Sequence, residues 1–99
     1  MSEAAIEREF VVASSLGLHA RPAGRFVSTA GKYRSDVQVA RGDEWVSGRS
    51  VLSLLSLAAG PGTRLRVRAV GDDAAAAVEA LGRLIECESE DGEPRSRPP

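Results

Sequence analysis

The chain has 99 residues, of which 42% are hydrophobic and 27% charged, and a formal net charge of −1. That length holds one domain and one modest core, filled by Ala, Val and Leu because aromatics make up only 4%. The near-neutral charge argues against nucleic acid or an anionic membrane as a partner, and one cysteine forms no internal disulfide.

The N-terminus, Met1 to Glu7, is acidic and lacks the apolar stretch of a signal peptide. Residues 1–6 are expected to fray. Arg8 to Ala13 is β-rich and predicts strand one, with Phe10 and Val12 on one face. Next comes Leu16-Gly17-Leu18-His19-Ala20-Arg21-Pro22-Ala23, which contains the only histidine. Gly17 permits a tight turn. Pro22 suits a first helical turn, where a missing N–H costs little. Ala23, Phe26, Val27 and Ala30 then repeat at helical spacing, which places His19 at or near the N-cap. Unpaired N–H groups and the positive dipole end at such a terminus favour an anion. Gly31 and Lys32 predict the helix end, with Gly31 as C-cap.

Asp36 to Ala40 alternates and predicts strand two; a turn at Arg41-Gly42-Asp43 leads into a short strand three, Glu44 to Val46. Ser50 is expected to cap a second helix, which Gly60-Pro61-Gly62 would stop. Its leucines cover more of the circumference than one core face requires. The run Val51 to Ala59 is far shorter than the roughly 20 apolar residues of a membrane span. A soluble, cytoplasmic protein is the expectation. Arg64 to Val70 alternates strictly, basic out and apolar in. Asp72 or Asp73 would cap a third helix with a buried stripe of Ala74, Ala77, Val78, Leu81, Leu84 and Ile85. Residues 89–99 offer no apolar side chain and predict a disordered tail behind a single domain spanning residues 1–88. The order β-α-β-β-α-β-α implies an α+β two-layer sandwich, one sheet with helices on one face.

Gly17 to Ala23 resembles the active-site signature of the HPr family, the histidine-containing phosphocarriers of the bacterial phosphoenolpyruvate-dependent sugar phosphotransferase system. Gly48-Arg49-Ser50-Val51-Leu52-Ser53-Leu54-Leu55 resembles that family's second motif, a regulatory serine followed by a short helix. Two motifs in order, at fitting separation, carry far more weight than either alone. The resemblance implies an HPr-like open-faced β-sandwich, a four-stranded antiparallel sheet in order 1-4-2-3 covered on one face by three helices. It implies that His19 is phosphorylated on Nδ1 by enzyme I, that Arg21 attends the phosphate, and that an enzyme IIA takes it on. It further implies that Ser50 is the target of an HPr kinase/phosphorylase, and that Val51, Leu52 and Leu55 dock partners. Leu16, Ala58, Ser28 and Gly31 depart from the family pattern: Leu16 replaces a small polar residue, Ala58 a glycine, and the other two lysines.

The residues themselves fit relay chemistry. Imidazole titrates near neutrality and makes a labile bond to phosphorus, and a guanidinium beside it steadies charge on the transferring oxygens. No nucleotide-binding loop or metal-ligand cluster is visible, so the expectation is a monomeric carrier without cofactor or metal, not an independent catalyst. Taken alone, His19 and Ser50 are ordinary helix caps, Arg21 a solvated charge and the leucines mostly core. Two alternatives stand beside sugar uptake: a regulatory relay of the same fold, and a protein-binding module acting through Ser50 and the Val51/Leu52/Leu55 patch.

Overall fold

The computed structural model describes residues 5–87. The predicted tail at 89–99 and the end of the proposed domain at residue 88 lie outside the described residues. In order come β1 (Ala5–Val11), α1 (Ala20–Ala30), β2 (Asp36–Arg41), β3 (Glu44–Ser47), α2 (Val51–Ser56), β4 (Arg64–Val70) and α3 (Ala74–Ile85). The four strands form one antiparallel sheet in the order β1-β4-β2-β3, with the helices on one side.

The strict alternation of β4 sets the register of the centre. Leu65, Val67 and Ala69 turn inward and are buried, while Arg64 and Arg68 face solvent. β1 pairs with all seven residues of β4, from Ala5 opposite Val70 to Val11 opposite Arg64. This pairing explains why β1 begins at Ala5 instead of fraying through residue 6: β4 offers partners along its whole length. It also ends at Val11, short of the predicted Ala13. On the solvent face Arg64 pairs with Glu9 at 3.4 Å and Arg66 with Glu7 at 3.3 Å, diagonal ion pairs across the two strands. Arg66 also lies 5.0 Å above the Trp45 ring and donates to the Gly42 carbonyl. Ala40, which pairs with both Trp45 and Arg66, is thereby buried on the otherwise open face.

On the inner face, α1 buries Pro22, Ala23, Phe26 and Ala30, and α3 buries Ala74, Ala77, Val78, Leu81 and Ile85. Val27 and Leu84, expected in these stripes, are half-buried at their edges. Gly82 has a packing reason to be glycine: a Cβ there would come within 2.2 Å of the Phe10 ring.

The end of α1 falls at Gly31 as expected, and two other helix ends differ from expectation. Gly31 caps α1 in the right-handed conformation, φ −65°, and so uses none of glycine's left-handed freedom. α2 ends at Ser56 instead of continuing to Gly60, because the chain reverses through left-handed Ala58 at φ 52°. Asp73 occupies the N-cap of α3 but makes no side-chain cap bond. Its carboxylate instead accepts from the Arg34 amide at 2.9 Å, the Ser35 amide at 3.0 Å and the Ser35 hydroxyl, fastening the α1–β2 loop.

The Ser35 hydroxyl foremost, then the Arg34 amide, hold the Asp73 carboxyl below its ordinary value. A carboxylate whose folded pKa is lowered contributes stability that is fully present above the unfolded pKa and disappears as pH falls through the folded one. Asp73→Asn should therefore flatten the fall in Tm between pH 5 and pH 2 relative to the parent, as read by thermal melts across that range. Parallel curves would remove Asp73 from the acid response.

Candidate functional site

The His19 loop is built from both flanks. On the entry side, the Val12 amide donates to the Thr63 carbonyl at 2.9 Å and the Ala13 amide to the Ile85 carbonyl at 3.1 Å. Gly17 then turns with φ +74°, its amide bonded to the Ser14 carbonyl at 3.0 Å. A Cβ on Gly17 would sit 2.6 Å from the Ala59 carbonyl oxygen and 2.9 Å from the Gly60 Cα. This position requires glycine twice, for its left-handed backbone and for the close approach. The next residue, Leu18, buries its side chain and donates its amide to that same Ala59 oxygen at 2.8 Å. His19 follows in extended conformation as the N-cap of α1.

The imidazole of His19 makes no side-chain cap bond. Its Nε2 is the one side-chain nitrogen or oxygen among the described residues that is buried without a hydrogen-bond partner. His19 as a residue is half-buried, so its exposed part lies away from Nε2. The first backbone bond of α1 runs from the Ala23 amide to the His19 carbonyl at 3.0 Å. Pro22 has no N–H. The Ala20 and Arg21 amides are therefore left as spare donors at the positive end of the helix. The Arg21 side chain is exposed and makes no ion pair or hydrogen bond among the described residues. Two backbone donors and one uncommitted guanidinium thus sit within two residues of the imidazole, an arrangement suited to an anion with several oxygens.

Ser50 is the N-cap of α2, with φ −128° and ψ 119°, and its hydroxyl oxygen accepts from the Ser53 amide at 3.2 Å. The preceding Gly48 lies flush on β2, where a Cβ would strike a Val37 methyl at 2.5 Å. Arg49 donates to the Tyr33 carbonyl at 3.2 Å and the Ser35 carbonyl at 2.8 Å, so its charge serves the fold. Within α2, Leu54 is buried, Val51 and Leu55 are half-buried against the core, and Leu52 is 80% exposed. Of the three residues expected to dock partners, Leu52 is the one that presents its whole side chain. Leu16, 58% exposed, adds a second apolar side chain in the His19 loop.

His19 and Arg21 lie together at the head of α1. Ser50 opens α2, and the segment after that helix touches the His19 loop through Ala59. Sequence reasoning missed Arg41, whose Nη1 donates to the Leu57 carbonyl at 2.9 Å and the Ala58 carbonyl at 2.8 Å. An arginine beside a hairpin turn gives no local sign that it will cap a helix 16 positions away. Among the described residues no group of three His, Cys, Asp or Glu is placed to hold a metal, and no helix is long and apolar enough to cross a membrane.

Residues 6–87 match the family described as PTS-HPr, the PTS HPr component phosphorylation site. The chain is 46% identical over 82 residues to the phosphocarrier protein HPr of Haloferax volcanii, covering 81% of this chain and 92% of that protein. It is 41% identical over 86 residues to that of Pseudomonas aeruginosa, covering 86% and 96%. The crystal structure of HPr-C-His from Thermoanaerobacter tengcongensis superposes with a TM-score of 0.79 at 38% identity, covering 89% of this chain and 97% of that one.

The geometry of α2 separates a structural serine from an exposed leucine. Ser50→Ala removes the cap and should destabilise the fold by about 1 kcal/mol, whereas Leu52→Ser should change stability by less than about 0.5 kcal/mol. Urea denaturation of both variants checks this; equal effects would mean that the cap bond adds nothing.

Proposed function

The chain belongs to the HPr family of phosphocarriers, and from that premise we propose that it accepts a phosphoryl group on His19 from phospho-enzyme I and passes it to an enzyme IIA. The observation that carries this reading is the state of the imidazole. Nε2 is enclosed and unpartnered, which leaves Nδ1 as the nitrogen able to meet a donor. Attack through Nδ1 requires the ring proton on Nε2. The Nδ1 lone pair forms a bond to phosphorus while the bond between phosphorus and the donor atom of phospho-enzyme I breaks, its electrons staying with the donor. The step runs in the opposite sense toward the acceptor, so no net proton or electron is consumed.

The spare amides of Ala20 and Arg21 and the positive end of α1 favour the phosphoryl oxygens on His19. The Arg21 guanidinium adds a fixed fork of donors where charge gathers during transfer. These groups bind and steady the phosphate. They supply no donor of their own, so the chain works as a carrier between two enzymes.

A second reading, regulation through Ser50, is supported by the exposure of Leu52. A phosphate on Ser50, added by an HPr kinase/phosphorylase, would lie at the start of α2, where the dipole tolerates it and no acidic residue crowds the first turn. It would also place a hydrated double charge next to Val51 and two residues from Leu52. Docking through Val51, Leu52 and Leu55 would then require a partner to desolvate that charge.

With enzyme I and radiolabelled phosphoenolpyruvate, the parent should take up an acid-labile, alkali-stable label and His19→Ala none. Arg21→Ala should slow uptake by roughly tenfold to a hundredfold with little change in Tm, the scale of losing one charged stabiliser. Label on the His19→Ala protein would refute the assignment. Ser50→Asp should retain its circular dichroism spectrum while labelling more slowly than the parent. Equal rates for that variant, and for protein phosphorylated on Ser50, would leave the serine a helix cap only.

A further inference from the structure

We infer that Arg41 is a positioning residue for the His19 loop: by holding the Leu57 and Ala58 carbonyls it keeps Ala58 left-handed, and so keeps the Ala59 oxygen where Leu18 and Gly17 need it. This rests on the reading of His19 as the phosphorylated residue. Ala58 is the one non-glycine among the described residues with positive φ, at 52°. Alanine is disfavoured there because its Cβ crowds the carbonyl oxygen, so the conformation persists only where neighbouring contacts hold it. Those contacts are visible. One Arg41 nitrogen reaches both the Leu57 oxygen at 2.9 Å and the Ala58 oxygen at 2.8 Å, and the second of these belongs to the peptide that follows Ala58. Fixing that peptide fixes ψ of Ala58 and hence the direction in which Ala59 leaves.

Ala59 is 5% exposed, and its carbonyl receives the Leu18 amide at 2.8 Å. Gly17 fits against the same oxygen with no room for a Cβ. A rotation at Ala58 would swing this oxygen away from Leu18 or into Gly17, and the residue after Leu18 is His19. The Arg41 side chain of β2 thus acts on the imidazole through three backbone links. Glycine at position 58 would adopt positive φ unaided, which makes Arg41 necessary only because residue 58 is alanine.

The test compares the parent, Arg41→Met, Ala58→Gly and the double variant. Two readouts are taken: hydrogen exchange of the Leu18 amide by NMR, and kcat and KM for labelling by phospho-enzyme I. Arg41→Met should raise Leu18 exchange by roughly fivefold to tenfold, the factor that accompanies the cost of left-handed alanine. It should lower kcat severalfold at unchanged KM, since α2 still begins at its Ser50 cap. Ala58→Gly alone should match the parent, and in the double variant it should restore both readouts to within about twofold. Unchanged Leu18 exchange in Arg41→Met overturns the proposal, as does loss of protection without a change in kcat. Failure of Ala58→Gly to rescue also overturns it, by showing that Arg41 acts in some other way. The exchange readout needs no phosphorylation, so a wrong assignment of His19 would appear separately, as label on His19→Ala.

Discussion

The Leu18 amide donates to the Ala59 carbonyl over 2.8 Å, and the site depends on that bond. Its net worth is modest, about 1 kcal/mol, but an oxygen left unpaired in a buried segment costs more, about 1–3 kcal/mol. Gly17 lies against the same oxygen at a distance no other residue tolerates. Together these contacts leave the chain one way to enter α1, with His19 at the cap. The helix that follows then presents two spare amides and the Arg21 guanidinium, because Pro22 has no N–H and Ala23 has spent its own on His19. The proposed anion site is therefore a consequence of where one loop is pinned.

That pin is only as firm as what lies behind it. Ala59 follows α2, and α2 rests its Leu54 in the core while Arg49 and Gly48 bind its start to the α1–β2 loop and to β2. On the other flank, Val12 bonds to Thr63 and Ala13 to Ile85, so the sheet and α3 anchor the approach to the turn. Solvent-side ion pairs such as Arg64–Glu9 add little by comparison, since both partners remain hydrated. The loop is pinned where it touches the core, while Arg21, Leu16 and Leu52 beside it are exposed, the side that the proposed relay would present to other proteins. Membership of the HPr family fits this division, for a carrier must offer one small reactive surface to successive partners.

Much of this was legible in the sequence, for identifiable reasons. β4 could be read to the residue because its basic and apolar residues alternate without interruption. The start of α1 was legible because Gly17, His19 and Pro22 each have a positional reason to be there. The end of α2 was not. Sequence reasoning looks for glycine at a left-handed position, and here alanine holds it with help from Arg41, a contact that exists only once β2 and α2 are adjacent. Asp73 misled in the same way: its position is that of a cap, but its carboxylate is claimed by Arg34 and Ser35, 38 to 39 positions away. The enclosure of Nε2 was equally invisible, since periodicity places a residue on an element without orienting an imidazole.

With Nε2 of His19 enclosed, Nδ1 is the nitrogen left for phosphorylation under the proposed reading. A long-range proton–nitrogen NMR spectrum of the imidazole, recorded on nitrogen-15-labelled protein after treatment with enzyme I and phosphoenolpyruvate, reports which nitrogen carries the phosphorus. Phosphorus coupling to Nδ1, with Nε2 still carrying its proton, is the expected result. Coupling to Nε2 would contradict this, because that atom is buried in the structure.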